Sequence, residues 1–136
     1  MPNKRAANLL VECLINQGVD KIYGVPGESY LSVLDALYDF NEKIRFISTR
    51  HESAASFMAE AYGKLTGEAG ICFVTRGPGA TNASIGVHTA MQNSSPMILF
   101  IGQIARDMTE REAFQEIDYK AYFGSISKWV VQVNNA

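Results

Sequence analysis

Gly70-Ile71-Cys72-Phe73-Val74-Thr75, running without a break into Arg76-Gly77-Pro78-Gly79-Ala80-Thr81-Asn82, decides how this chain folds. The first six residues carry no charge and show no apolar/polar alternation, as in a strand buried on both faces of a parallel sheet. Gly77-Pro78-Gly79 breaks that strand, and the small residues from Ala80 to about Gln92 predict a helix. A strand turning directly into a helix is the repeating unit of a parallel α/β fold.

The same alternation extends outward on both sides. Upstream, a helix is expected from about Glu52 to Thr66, with Ala55, Met58, Ala61, Tyr62 and Leu65 as its core stripe and Gly67 as its stop. Before it come a strand at Ile44–Ser48 and a helix that Ser29 caps, whose face is Leu31, Leu34, Leu37 and Tyr38. Lys21–Val25 reads as a strand, preceded by a helix carrying Ala6, Leu9, Leu10, Cys13 and Leu14 and ended by Gly18. Downstream, Met97–Ile101 is another apolar strand. A short helical stretch is expected around Phe114–Tyr122, and Lys128–Val133 is expected as a last strand anchored by Trp129. The fold class is therefore α/β, a three-layer α/β/α domain with a mainly parallel sheet. In such sheets ligands bind at the carboxyl ends of strands, so the loops at Gly24–Ser29, Thr49–Glu52, Thr75–Asn82 and Gly102–Gln115 should share one rim.

Composition narrows the function. The chain has 136 residues, 47% hydrophobic and 19% charged, with 12 Lys+Arg against 14 Asp+Glu and a net charge of −2. That suits one domain with a core and excludes wholesale disorder. A weakly negative chain with no basic block has no footprint for nucleic acid or an anionic membrane. No segment approaches the ~18 apolar residues of a membrane span. Cys13 and Cys72 stand far apart without metal-ligand spacing and read as buried thiols of a cytoplasmic protein.

The chemistry-bearing residues lie in the rim loops. The 75–82 turn suits either an anion or cofactor site or a plain tight turn, because a helix N-terminus offers free amides and small residues allow close approach. It lacks the last Gly of G-x-G-x-x-G, Asn82 standing there, and it carries no Gly-Lys-Ser/Thr. His51-Glu52 sits at a strand-to-helix junction, where Glu52 is either an acid/base or a residue favoured by the helix dipole, and His51 is a capping or packing residue. The acidic run Glu110, Glu112, Glu116, Asp118, with Arg106 and Arg111, reads as a solvated face. With only His51 and His88, and no Gly-x-Ser-x-Gly, hydrolase chemistry is excluded as a leading reading.

Taken in order, Gly-Val-Pro-Gly at 24–27, Arg-His-Glu at 50–52, Thr-Arg-Gly-Pro-Gly-Ala-Thr-Asn at 75–82, Ser-Pro at 95–96, Gly-Gln at 102–103 and Ala-Phe-Gln-Glu at 113–116 form a specific series. It resembles the N-terminal, pyrimidine-binding domain of thiamine diphosphate enzymes, most closely the acetolactate synthase branch. The likeness covers essentially the whole chain, so residues 1–136 are expected to be one such domain, with the diphosphate/Mg-binding and central domains absent.

The resemblance implies a role for each matching residue. Glu52 would hydrogen-bond the pyrimidine N1′ and promote the imino tautomer that leads to a C2 ylide for 2-oxo acid decarboxylation and carboligation. Val25, Pro26 and Gly27 would line the pyrimidine pocket, with Thr75, Pro78, Gly79 and Asn82 shaping its other side. Gln115, after Phe114, would reach the reacting end of the cofactor. Mg²⁺ and the diphosphate would be held by the family's Gly-Asp-Gly motif, which this chain does not contain, in a domain of a partner subunit. A homodimer acting on a 2-oxo acid such as pyruvate is implied, with the isolated chain inactive. The alternatives are a subunit of a split 2-oxo acid decarboxylase or a non-catalytic binding module. Three departures from the branch's usual pattern stand out: Arg76 replaces a small residue, Glu28 replaces the second glycine of a Gly-Gly pair, and Thr109-Glu110 replaces Ile-Gly.

Overall fold

The structure is a computed structural model, and it describes residues 4–135. Helix α1 (Ala6–Asn16) leads into strand β1 (Lys21–Gly24), a 3₁₀ turn at Glu28–Tyr30 and α2 (Leu31–Asp39). Strand β2 (Arg45–Ser48), α3 (Glu52–Thr66), β3 (Gly70–Thr75), α4 (Arg76–Asn93) and β4 (Met97–Gly102) follow. A 3₁₀ turn at Arg106–Met108 and the short α5 (Tyr119–Phe123) complete the order.

The four strands are all parallel, in the order β2-β1-β3-β4. The chain steps from β1 outward to β2, then crosses back over β1 to reach β3. Right-handed crossovers in opposite directions put their helices on opposite faces. So α1 and α2 cover one face, and α3 and α4 the other.

Strand β3 shows why its sequence has no polar alternation. Ile71 and Phe73 join Ile22, Val11, Leu14, Ala36 and Leu37 in one core. Cys72 and Val74 join Tyr23, Ala55, Ala59, Ala80 and Ala83 in the other. The strand's side chains alternate between two dry layers. Phe73 also stacks on Phe100 of β4 at 4.6 Å between ring centroids.

On the α3 and α4 side the second core is made of small residues, Ala55, Ala59, Ala80 and Ala83, because the two helices nearly touch. A methyl group on Gly86 would collide with Ser56, whose Cβ would lie 2.5 Å away. The buried stripe of α3 is Ala55, Ser56, Ala59, Glu60 and Gly63. That corrects the expected stripe. Met58 and Leu65 are exposed, since a helix contact this close has no room for large side chains and they face outward. For the same reason of rotation about the helix, α2 buries Ala36 and Leu37 while Leu31 and Tyr38 are exposed.

Glu60 is buried and keeps its charge through neutral donors. Its Oε1 accepts hydrogen bonds from Asn93 Nδ2 at 3.0 Å and Ser95 Oγ at 2.9 Å. These donors, the Asn93 one foremost, hold the carboxyl below its ordinary value against the opposing effect of burial.

Three further expectations change. Lys128–Val133 forms no strand; Val130 packs with Ile126 onto the α3/α4-side core instead, and no ladder partner is engaged. Trp129 is 76% exposed and anchors nothing. Cys13 is exposed on α1 while Cys72 is buried. Helix α4 also starts at Arg76, ahead of the expected Ala80, because Gly77-Pro78-Gly79 forms its first turn, where a proline costs no hydrogen bond.

Two outcomes follow for stability. Gly86→Ala should destabilise the domain by about 1–3 kcal/mol by overpacking, read from the urea midpoint, and Ser56→Gly should restore much of the loss. Glu60 should stabilise the fold above the ordinary carboxylate pKa, with that contribution lost as pH falls through its lowered native value. Glu60→Gln should therefore flatten the acid limb of the stability–pH curve measured by thermal unfolding.

Candidate functional site

The point where the chain reverses direction lies between β1 and β3, and the segments leaving their carboxyl ends pack together there. After Gly24 the chain crosses Val25-Pro26-Gly27 against Thr75, so closely that a methyl group on Gly27 would collide with the Thr75 side chain. Ser29 Oγ and Thr75 Oγ1 share a hydrogen bond at 2.7 Å. The Tyr30 hydroxyl donates to the Val25 carbonyl. Ser29 is therefore a rim contact and does not cap α2, whose N-cap position is Tyr30 with no side-chain cap bond. Val25 and Gly27 are half-buried, while Pro26 is exposed.

Helix α3 begins at the same rim. His51 is its N-cap, its Nδ1 accepting from Ser53 N at 3.2 Å, so of the two roles open to it His51 takes capping. Glu52 follows in the first turn. Its Oε2 accepts from Asn82 Nδ2, in the second turn of α4, at 2.9 Å. Among the described residues this is the one hydrogen bond to the carboxylate, and Oε1 is left free. Oε1 faces Gly79, where an added methyl group would lie 3.5 Å from it and 3.2 Å from Val74 Cβ. Pro78 is exposed beside this opening.

Burial holds two neighbouring titratable groups in their neutral forms. Desolvation, reinforced by the Glu52 charge, pushes the Cys72 thiol up to about 12. Desolvation, then Cys72 and Glu52, also raises the Tyr30 phenol. Both stay protonated at neutral pH.

The fourth loop is fastened to the turn that opens α4. Gly77 N donates to the Gln115 carbonyl at 2.8 Å, and a methyl group on Gly77 would lie 2.8 Å from that oxygen. Gln115 adopts a left-handed φ of 67° and is half-buried, whereas Phe114 is exposed. Glu116 is no solvated charge: its two oxygens accept from Glu110 N at 2.7 Å and Ala113 N at 3.1 Å. Asp118 likewise caps α5 through Ala121 N. Arg76, with φ 45°, turns its side chain back along the rim, its Nη1 3.9 Å from Glu28 Oε2.

The structure thus brings Val25, Pro26, Gly27, Glu52, Thr75, Pro78, Gly79, Asn82 and Gln115 to one rim. The Ser29–Thr75 pair escapes sequence reasoning, because a serine before a helix reads first as a cap. A recess of about 450 Å³, lined by Leu34, Leu37, Ile44 and Phe46 among others, lies at the β2 edge away from this rim. Among the described residues no helix is long and apolar enough to cross a membrane.

In an open parallel α/β sheet, ligands bind in the crevice outside the carboxyl ends of the strands, at the switch point where this rim lies. Residues 4–122 match the sequence model of the family described as thiamine pyrophosphate enzyme, N-terminal TPP binding domain, and the chain belongs to that family. It is 40% identical over 131 residues to an acetolactate synthase of Bacillus subtilis, covering 96% of this chain and 23% of that protein. It is 41% identical over 129 residues to a probable acetolactate synthase large subunit of Methanocaldococcus jannaschii, covering 95% and 22%. With the isozyme 3 large subunit of Escherichia coli acetolactate synthase it shares 43% over 112 residues, covering 82% and 19%. The chain therefore spans about a fifth of the length of these relatives.

Asn82→Asp should place a second carboxylate against Glu52. The fold should then lose stability, relative to the parent, as pH rises through the carboxylate range. Thermal unfolding at pH 4 and pH 7 checks this, and an equal loss at both would contradict it.

Proposed function

We propose that this chain is the pyrimidine-binding domain of an acetolactate synthase-like enzyme, with Glu52 as its proton-handling residue. The observation that supports this most is the half-anchored carboxylate: Oε2 is tied to Asn82 at 2.9 Å, while Oε1 accepts no hydrogen bond among the described residues and lies beside Gly79, which brings no side chain of its own. A ring nitrogen that must gain or lose a proton needs a fixed acid/base group with one oxygen uncommitted.

Thiamine diphosphate, when bound, supplies the electron sink for cleaving the bond next to a 2-oxo carbonyl. The chain's own residues do the rest of what falls to this side. Glu52 holds and moves a proton at the pyrimidine N1′. Asn82 fixes the carboxylate so that its free oxygen, and not a rotated one, meets the ring. Val25, Pro26 and Gly27 line one side of the pocket, and Thr75, Pro78 and Gly79 the other, the Ser29–Thr75 bond keeping the two walls in register. Gln115, carried on the loop pinned by Gly77, extends a carboxamide toward the reacting end.

The diphosphate and its Mg²⁺ belong to a separate domain in this proposal, contributed by a partner subunit in a cytoplasmic homodimer. The substrate is a 2-oxo acid such as pyruvate, and the 136-residue chain alone is inactive. In an enzyme containing this domain, Glu52→Gln should slow deuterium exchange at the cofactor C2 by about 10²–10⁴-fold. Exchange near the parent rate would remove Glu52 from this role. Purified alone with cofactor, Mg²⁺ and pyruvate, the chain should form no acetolactate, and robust turnover would overturn the divided site.

A further inference from the structure

Two buried side-chain polar atoms have no hydrogen-bond partner among the described residues, Arg76 Nε and the Tyr119 hydroxyl. Buried polar groups are normally satisfied, so each such atom calls for a cause. Both belong to the same corner of the rim. Arg76 opens α4 immediately before Gly77, which is bonded to the Gln115 carbonyl, and Tyr119 begins α5 four residues beyond Gln115.

Both atoms are donors in want of an acceptor. Burial raises the Tyr119 phenol, Glu116 adding to the rise and the Arg76 charge opposing it, so its proton stays on. Arg76 is a permanent cation whose side chain is 20% exposed. The carboxylates at hand do not serve them. Glu28 is 82% exposed and stands 3.9 Å from Nη1, too far for a hydrogen bond. Glu116 has both oxygens committed to backbone amides of its own loop. Arg76 is moreover held at φ 45°, a conformation costly for a residue with a Cβ, and such outliers gather where a side chain must be aimed.

We propose that Arg76 and Tyr119 form a carboxylate-binding subsite beside the Glu52 pocket, which takes the carboxylate of a small 2-oxo acid. The guanidinium edge suits a planar two-oxygen anion, and the phenol adds a neutral donor from the facing loop. The choice of a 2-oxo acid rests on the function proposed above; the demand for an acceptor rests on the two orphaned donors, and the guanidinium charge selects an anion.

The test uses this chain and pyruvate, followed by the Arg76 Nε–H and the Gly77 and Gln115 amide resonances. Pyruvate should give saturable shifts with a dissociation constant of millimolar order. Methyl pyruvate, which lacks the charge, should give none. Arg76→Gln, scored on the two amides, should weaken binding at least tenfold, and Tyr119→Phe about 3–10-fold, in line with one lost hydrogen bond. Equal binding of methyl pyruvate, equal binding of inorganic phosphate, or parent affinity in both variants would each overturn the subsite. A pyrimidine-side thiamine analogue, followed at the Asn82 side-chain amide and challenged by Glu52→Ala, tests the cofactor pocket separately. Failure there with pyruvate binding intact would sink the cofactor proposal and leave the subsite standing.

Discussion

The close approach of α3 to α4 is the constraint on which the rest of this domain depends. Ser56 and Gly86 meet without space for one more methyl group. One helical turn before each of them stand Glu52 and Asn82, on the same faces and nearer the rim. The hydrogen bond between those two side chains is thus an extension of the helix contact to its upper end. At the other end of the same stripe, Glu60 ties α3 to the exit of α4 through Asn93 and Ser95. A glycine in mid-helix costs helix propensity of roughly 1 kcal/mol against alanine, and here it sets the distance between the Glu52 and Asn82 side chains.

Sheet topology supplies the second half of the geometry. Because the chain leaves β1 in one direction and returns past it in the other, the loops after β1 and β3 diverge from a shared crevice. Gly27 lets one wall press on Thr75, and the Ser29–Thr75 bond closes the contact. The loop carrying Gln115 then clips onto Gly77 from a third direction. The site is assembled from four separate strand ends, so rigidity comes from a few backbone and hydroxyl contacts rather than from a continuous core.

Strong one-dimensional signals carried most of the architecture. The uncharged run 70–75 had to be a two-sided strand, and each glycine-marked helix end fell near its expected place, Gly67 taking a left-handed φ of 77° after α3. The errors came where period alone was asked to choose a face. Met58 and Leu65 fit a helical stripe as well as Ala55 does, but only the distance to α4 decides which rotation is buried. Lys128–Val133 has strand-forming residues, yet a strand exists only where a ladder partner is free, and there Val130 found the helical layer instead.

The residue types of the site were legible as motifs because glycines, prolines and a first-turn glutamate at loop positions are local choices with local costs. That Glu52 is anchored through one oxygen only, that Ser29 braces Thr75 rather than capping a helix, and that Arg76 is drawn into the rim beside Tyr119 are facts about residues 30 to 46 positions apart or on facing loops. The sequence by itself determined which elements form and where their polar ends lie, since propensity and burial pattern act within a few residues. Tertiary structure alone decided which of those ends meet and what each is left to bind, because a distance between two helices is set by everything packed between them.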